Sequence, residues 1–227
     1  MTVRSLSGCK PTEANLFMRI LRNVLLGFLM LIVGIVALML IPSPQAPAEK
    51  PWEVTVMPDG NSRVLGIHLG QTNYKTAQQQ LGVFGKTALF VDPDGSRSVE
   101  AYFDSINLAG LSAKLVMNLE VDEDRLQAMQ ARTEEGEYKP SGAYQYQLSE
   151  QDRTFLLGVP VIGLTYIPSV RLDREMVKSR FGEPAHSEES EKDENGRVTE
   201  TWFYPDIGLS VIFQTEQKTL LVYRATH

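Results

Sequence analysis

Cysteine, histidine and recognisable catalytic motifs are scarce in this chain of 227 residues. Its one cysteine, Cys9, precedes a long apolar run, so we expect a free thiol and a folded part that is stable without disulfide bonds. The three histidines, His68, His186 and His227, do not show the spacing of a transition-metal site. The sequence also lacks a glycine-rich phosphate loop and a Gly-x-Ser-x-Gly nucleophile turn. These absences predict a protein that is not an enzyme and that binds no metal or cofactor.

Basic residues are too few for a nucleic-acid-binding protein. The chain has 22 Lys and Arg against 28 Asp and Glu, a formal net charge of −6. Four basic residues and one acid precede Pro42, which gives that segment a charge of +3; the remaining 18 basic and 27 acidic residues give −9. Because an acidic domain repels phosphate instead of releasing counterions from it, a nucleic-acid partner is not expected.

Residues 24–41 form an apolar run of 18 residues without a charge, amide or hydroxyl. As a helix, this run would extend about 27 Å, close to the hydrocarbon thickness of a bilayer. Arg19 and Arg22 precede it, and a basic flank favours a cytoplasmic N-terminus. The sequence therefore predicts a single-pass transmembrane helix in a bacterial inner membrane, with residues 1–23 in the cytoplasm and the C-terminal domain in the periplasm.

Two alternatives to a retained anchor stay open. A buried core helix would need polar residues where it meets solvent, and the run has none. A cleaved signal peptide is the other, because Ala46-Pro47-Ala48 is an arrangement that a signal peptidase could use. If the helix is an anchor, Gly27 and Gly34 lie on one face and could bring two copies together as a homodimer. Residues 42–51 contain four prolines and predict an extended linker.

An internal repeat organises the remaining sequence when the chain is aligned with itself at an offset of 100 residues. The matches keep their order along the chain: Ile67 with Ile167, Asn73 with Asp173, Ala77 with Val177, Leu81-Gly82 with Phe181-Gly182, Asp94-Gly95 with Asn195-Gly196 after a one-residue slip, and Glu100-Ala101-Tyr102-Phe103 with Glu200-Thr201-Trp202-Phe203. Because Tyr102 and Trp202 match, we expect both in the core. The alignment predicts two copies, residues 52–121 and 152–227, separated by an unrepeated segment, residues 122–151.

Each copy predicts one helix followed by an antiparallel meander. Asn73 and Asp173 are candidate helix caps, and Gly82 and Gly182 are candidate helix ends. The Asp-Gly and Asn-Gly pairs that follow tolerate the positive φ of a tight hairpin turn. We therefore expect an α+β fold of two tandem helix-plus-antiparallel-sheet repeats, each with two layers.

The unrepeated segment contains the candidate partner-binding residues. It predicts a short helix capped by Asp122 and then a strand in which Tyr144 and Tyr146 alternate with glutamines, so that one strand face is aromatic. Either this face packs against a sheet, or it forms a partner surface together with Tyr138, because exposed tyrosines are favoured interface anchors. An unduplicated insertion is free to acquire a specific contact, which favours Tyr138, Tyr144 and Tyr146 as partner-binding residues.

Short motifs in both copies resemble a known family. Gly70 and Thr72 precede a short helix that ends in Leu81-Gly82, the second helix ends in Phe181-Gly182-Glu183-Pro184, and an aromatic-rich hairpin follows each. This combination resembles the small outer-membrane lipoprotein subunit of the β-barrel assembly machinery, and the tandem β-lactamase inhibitor proteins of related fold. The resemblance implies helices packed on antiparallel sheet. The chain departs from the lipoprotein pattern in having a predicted anchor helix, no usable acylation cysteine and two copies.

Taken together, these patterns predict a membrane-anchored periplasmic protein-interaction module that assists or regulates an envelope protein. Three alternatives stay open: an inhibitor of an envelope enzyme, an unrecognised enzyme, and a lipid or glycan binder. An enzyme would have a deep pocket with convergent polar groups, whereas a lipid or glycan binder would have an apolar tunnel or an aromatic-lined groove.

Overall fold

The structure, a computed structural model, describes residues 12–40, 49–108, 110–191, 197–214 and 218–226. The chain divides into two units, Met1–Ala46 and Pro47–His227. In the first unit, helix α1 spans Thr12–Leu40, and the side chains described there are those of Met18 and of residues 21–36. Cys9, the Asn195-Gly196 turn, the Ala46-Pro47-Ala48 motif and most of the predicted linker lie outside the described residues.

No helix within the described ranges is both long enough and apolar enough to cross a membrane. The predicted single-pass transmembrane helix over residues 24–41 is therefore wrong, and so is the predicted inner-membrane localisation with a periplasmic domain. The predicted pairing through Gly27 and Gly34 depended on that anchor.

The second unit is built from short helices and many strands. Its helices are α2 (Tyr74–Leu81), α3 (Glu123–Gln130), α4 (Glu150–Leu156) and α5 (Arg174–Phe181), with a 3-10 turn at Pro205–Ile207. Its strands are β1 (Thr55–Val56), β2 (Ser62–Val64), β3 (Ile67–His68), β4 (Lys86–Val91), β5 (Arg97–Leu108), β6 (Leu111–Leu119), β7 (Glu137–Tyr138), β8 (Tyr144–Gln147), β9 (Val161–Pro168), β10 (His186–Glu189), β11 (Thr199–Tyr204), β12 (Leu209–Gln214) and β13 (Leu220–Arg224).

Ten of these strands form one antiparallel sheet in the order β10-β11-β12-β13-β9-β6-β5-β4-β8-β7, and β1, β2 and β3 form a separate small sheet. The two predicted copies supply the blocks β4–β6 and β10–β12 on opposite sides of the centre. Between them lie β9 and β13, and β9 pairs with β6 on one side and with β13 on the other. The two copies therefore share a single sheet.

The predicted α+β class with two separate two-layer repeats is wrong, because the fold is mostly β, with 38% strand and the ten-stranded antiparallel sheet. The reason is β9, a run rich in β-branched and aromatic residues for which the sequence analysis predicted no strand. By pairing on both sides, β9 removes the edges at which two separate sheets would end. Both copies lie within the unit Pro47–His227, and their predicted boundaries stay predictions.

The offset of 100 residues also misplaces the second hairpin by one position. Lys86 pairs with Tyr102, and His186 pairs with Phe203, so Tyr102 corresponds to Phe203 and not to Trp202. Because successive strand residues point to opposite faces, a slip of one residue exchanges the two faces. Trp202 is 5% exposed in the core, whereas Tyr102 is half-buried on the opposite face. The core prediction is thus confirmed for Trp202 and wrong for Tyr102.

The predicted helix caps and helix ends are confirmed. The Oδ1 atoms of Asn73, Asp122 and Asp173 each accept a hydrogen bond of 2.8–2.9 Å from the backbone N–H three residues later. Helix α2 ends at Gly82, at φ +68° and ψ +18°, and α5 ends at Gly182, at φ +81° and ψ −167°. The first is a left-handed helix end, whereas the second lies in a region that is essentially restricted to glycine.

The four helices of the second unit contribute to a core on one face of the ten-stranded sheet. The core side chains that are 0% exposed include Ala77 of α2, Met129 of α3, Leu156 of α4, and Leu89, Leu115, Met117, Leu164, Val211, Leu221 and Tyr223 of the strands. On the opposite face, the described side chains of the paired strands are half-buried or exposed, apart from Ala88. Within the described part of the second unit, the sheet therefore has one covered face and one uncovered face.

The two helix-ending glycines should respond differently to substitution. Nothing lies within 4 Å of a Cβ built at either position, so the cost is conformational. Gly82→Ala should cost about 1–2 kcal/mol, and Gly82→Asn less, because Asn tolerates the left-handed region. Gly182→Ala and Gly182→Asn should both cost about 2–3 kcal/mol. Denaturant unfolding of the four variants measures these losses, and an Asn that is equally well accepted at both positions would contradict the assignment.

Candidate functional site

The uncovered face of the ten-stranded sheet is the candidate site, and we call it the open face. One row of paired residues crosses eight strands: Lys86, Tyr102, Val116, Thr165, Val222, Ser210, Phe203 and His186. When an antiparallel sheet has one buried face, its other face is usually polar. The open face carries, among its polar side chains, these half-buried apolar or aromatic ones: Phe90, Tyr102, Val116, Ile167, Phe203, Ile212, Leu220 and Val222. Apolar side chains clustered on an uncovered sheet face make it a candidate interaction site.

Neighbouring side chains fix the two aromatic rings of the row. His186 stacks on Phe203 with ring centroids 4.4 Å apart and an interplanar angle of 9°. At the other end, Lys114 Nζ donates a hydrogen bond of 3.0 Å to Tyr102 Oη and lies 5.7 Å from the ring centroid. This hydrogen bond raises the pKa of Lys114. Tyr102 and Phe203 are equivalent in the two copies, so each copy presents one oriented ring on the open face.

A depression of about 470 Å³ lies on the part of the open face that belongs to the first copy. Its lining combines apolar side chains with charged ones, among them Phe90, Tyr102, Val116, Glu100, Asp104 and Lys86. The Glu100 carboxylate accepts a hydrogen bond of 3.3 Å from Asn118 Nδ2. Burial raises the pKa of Glu100, and the nearby Asp92 carboxylate adds to the rise, although the Asn118 hydrogen bond opposes it. Among the described residues, Glu100 forms no salt bridge.

A second cleft, of about 510 Å³, lies beside β11 and α5. Its most buried carboxylate, Glu200, accepts hydrogen bonds from Trp202 Nε1 at 2.6 Å and from Arg174 Nε at 2.8 Å. Burial alone would raise the pKa of Glu200, but these hydrogen bonds outweigh it and lower the pKa. Because Arg174 and Glu200 neutralise each other and fix the Trp202 indole, this pair stabilises the fold at the sheet end.

The predicted partner-binding tyrosines lie at the β7–β8 end of the sheet. Tyr138 is 63% exposed and Tyr144 is 46% exposed, and their rings meet edge to face with centroids 5.3 Å apart. Tyr146 is half-buried against the core, and its ring lies so close to Gly136 that a Cβ there would be 2.7 Å from it. The structure thus brings Tyr138 and Tyr144 together and places Tyr146 with the packing residues. Their role in partner binding stays a prediction.

Within the described ranges, no group of three or more His, Cys, Asp or Glu side chains could hold a metal ion. His68 Nε2 lies 3.0 Å from Asp59 Oδ2, while His186 stacks on Phe203 in a different part of the unit. His227 lies outside the described residues.

Sequence reasoning missed the open face, although a signal for it was present. Adjacent aromatic residues occur in β5 as Tyr102-Phe103 and in β11 as Trp202-Phe203-Tyr204. Because neighbouring strand residues point to opposite faces, such pairs place aromatic rings on both faces of a sheet. An aromatic pair in a strand with one buried face therefore indicates that the other face is also apolar.

Replacing Glu100 by Gln should stabilise the fold at neutral pH and have little effect in acid. The folded-state pKa lies above the ordinary value of 4.5, so folding favours the protonated carboxyl. This contribution is fully present below the unfolded pKa and is lost as the pH rises through the folded pKa. Since Gln imitates the protonated form, the stability difference between variant and wild type should grow from pH 4 to pH 7. Thermal unfolding at both pH values measures this stability difference, and Glu120→Gln, at an exposed position, is the control. A stability difference that does not change with pH would contradict the raised pKa of Glu100.

Comparison with known protein family models, curated proteins and solved structures finds no match for this chain. The resemblance to the barrel-assembly lipoprotein and the β-lactamase inhibitor proteins therefore rests on short motifs and stays a prediction.

Proposed function

We propose that this chain is a protein-interaction module that binds a folded protein through its open face. The observation that carries the proposal is the spread of half-buried apolar and aromatic side chains over seven paired strands. Burying these side chains against a partner removes apolar surface from water, which is the main favourable term in association. The oriented rings of Tyr102 and Phe203 would act as its anchors, because aromatic residues dominate the energetics of interfaces.

The dimensions of the open face favour a protein over a small molecule. Eight strands at a spacing of about 4.8 Å place the ends of the central row about 34 Å apart. A small ligand is normally enclosed by a pocket, whereas a protein interface of standard size covers about 800 Å² on each partner. A row of this length with apolar residues on both sides therefore matches the footprint of a folded protein.

The edge tyrosines are a second candidate surface for the same kind of partner. The supporting observation is that Tyr138 and Tyr144 are largely exposed and already in contact with each other. A pre-organised ring pair loses little side-chain entropy on binding. If the partner is an enzyme, occlusion of its active site by either surface would make this module an inhibitor; otherwise the module assists or regulates its partner.

Two double variants distinguish the open face from the edge tyrosines as the partner-binding surface. Crosslinking in cells first identifies the bound protein, and the dissociation constant is then measured between this protein and each purified variant. Tyr102→Ser with Phe203→Ser should weaken binding by about 30-fold or more, because loss of each aromatic anchor typically costs more than about 1 kcal/mol and each 1.4 kcal/mol is about tenfold in affinity. The melting temperature should change little, since both rings are only half-buried.

Tyr138→Ser with Tyr144→Ser is the matched variant, with two exposed rings removed at the sheet edge. On the proposal it binds the partner as the wild type does. Loss of binding by this variant alone would move the interface to the edge, and normal binding by both variants would reject a protein interface at either surface.

A further inference from the structure

The Glu100 carboxylate on the open face has no cationic partner among the described residues. Glu100 lies in the floor of the depression, paired across the strands with Ala88 and Asn118. Its one hydrogen bond within the described residues comes from a neutral amide, Asn118 Nδ2, at 3.3 Å. A carboxylate has about four acceptor positions, so most of its capacity is unused.

The cations near this depression already have partners. Lys86 Nζ lies 3.7 Å from Asp104 Oδ2, and Lys114 Nζ is hydrogen-bonded to Tyr102 Oη. The remaining charge that acts on Glu100 is the Asp92 carboxylate, which repels it. On the other side of β4, strand β8 contributes the neutral Gln145 to the lining. Among the described residues, no cation therefore pairs with the half-buried Glu100 carboxylate.

The walls of the depression suit a planar cation. Phe90 and Tyr102 supply aromatic rings, and Val116 supplies an apolar surface next to the carboxylate. A guanidinium group can donate two parallel hydrogen bonds to a carboxylate while its face stacks on an aromatic ring, whereas an ammonium group is a point charge. The sequence after Pro42 carries a net charge of −9, which favours a partner with a basic surface.

We propose that the depression over Glu100 receives an arginine side chain of the protein that binds the open face. This inference rests on the proposed function and identifies Glu100 as the residue that would determine which partner binds. The guanidinium would neutralise Glu100, stack against Tyr102 and leave the ion pair of Lys86 and Asp104 intact. Partner recognition by the open face would then combine apolar burial with one buried charge pair.

Binding of a minimal probe tests the inference on the full chain. The probe is N-acetyl-arginine amide, and N-acetyl-citrulline amide is its control, with the same shape and no charge. Two-dimensional NMR of isotope-labelled protein should show saturable shifts at Glu100, Tyr102 and Asn118 with the arginine probe only. Glu100→Gln should weaken this binding by about tenfold, because a charge-assisted hydrogen bond is worth at least 1.5 kcal/mol. Glu120→Gln should leave it unchanged.

The pH dependence gives an independent readout. Because the guanidinium binds the carboxylate form, probe affinity should fall as the pH is lowered through the pKa of Glu100. Equal binding of citrulline, unchanged binding by Glu100→Gln, or shifts located away from the depression would each overturn the inference. If Glu100→Gln binds the captured protein normally while the Tyr102 and Phe203 double variant does not, the arginine site is refuted and the proposed function stands.

Discussion

The pairing of β9 with both β6 and β13 is the interaction on which the rest of the fold depends. It joins two blocks of three strands that the repeat supplies separately and makes them one sheet. On the covered face, β9 contributes Leu164 at 0% exposure and Tyr166 at 2% exposure to the shared core. Since helices from both copies pack on this one core, neither block has to bury its apolar face alone.

The same strand also shapes the open face. Gly163 of β9 lies beside Asn118, and a Cβ at this glycine would lie 3.1 Å from Asn118 Oδ1. The missing side chain leaves room for the Asn118 amide, which donates to the Glu100 carboxylate. The strand that joins the two copies thus also leaves room for Asn118, the one described hydrogen-bond donor to the Glu100 carboxylate.

Local signals in the sequence predicted local structure well. Caps at Asn73 and Asp173 and ends at Gly82 and Gly182 follow from side-chain oxygen acceptors and from positive φ, which depend on few residues. The class of the fold did not follow, because it depends on how β9 pairs with strands distant in sequence. The prediction from the apolar run near the N-terminus was also wrong: composition indicated a membrane span that the described helix does not provide.

The repeat alignment also limited the prediction of the candidate site. An offset that is correct before the hairpin turn and wrong by one residue after it exchanges the faces of β11, and thereby hid the equivalence of Tyr102 and Phe203. Neither the aromatic rings of the open face nor Glu100 was recognised as a result. The edge tyrosines were found because their alternation with glutamines lies within one short strand and needs no long-range register.

A duplication followed by divergence would explain how the proposed interface could combine affinity with specificity. Tyr102 and Phe203 occupy equivalent hairpin positions, so the proposed anchors recur in both blocks of strands. Glu100 has no such counterpart, because the equivalent position in the second copy is Thr201, which pairs with Ile212. A charge present in only one copy makes the two halves of the open face inequivalent. A partner with one matching cation would therefore bind in one orientation, although the aromatic anchors alone would allow two.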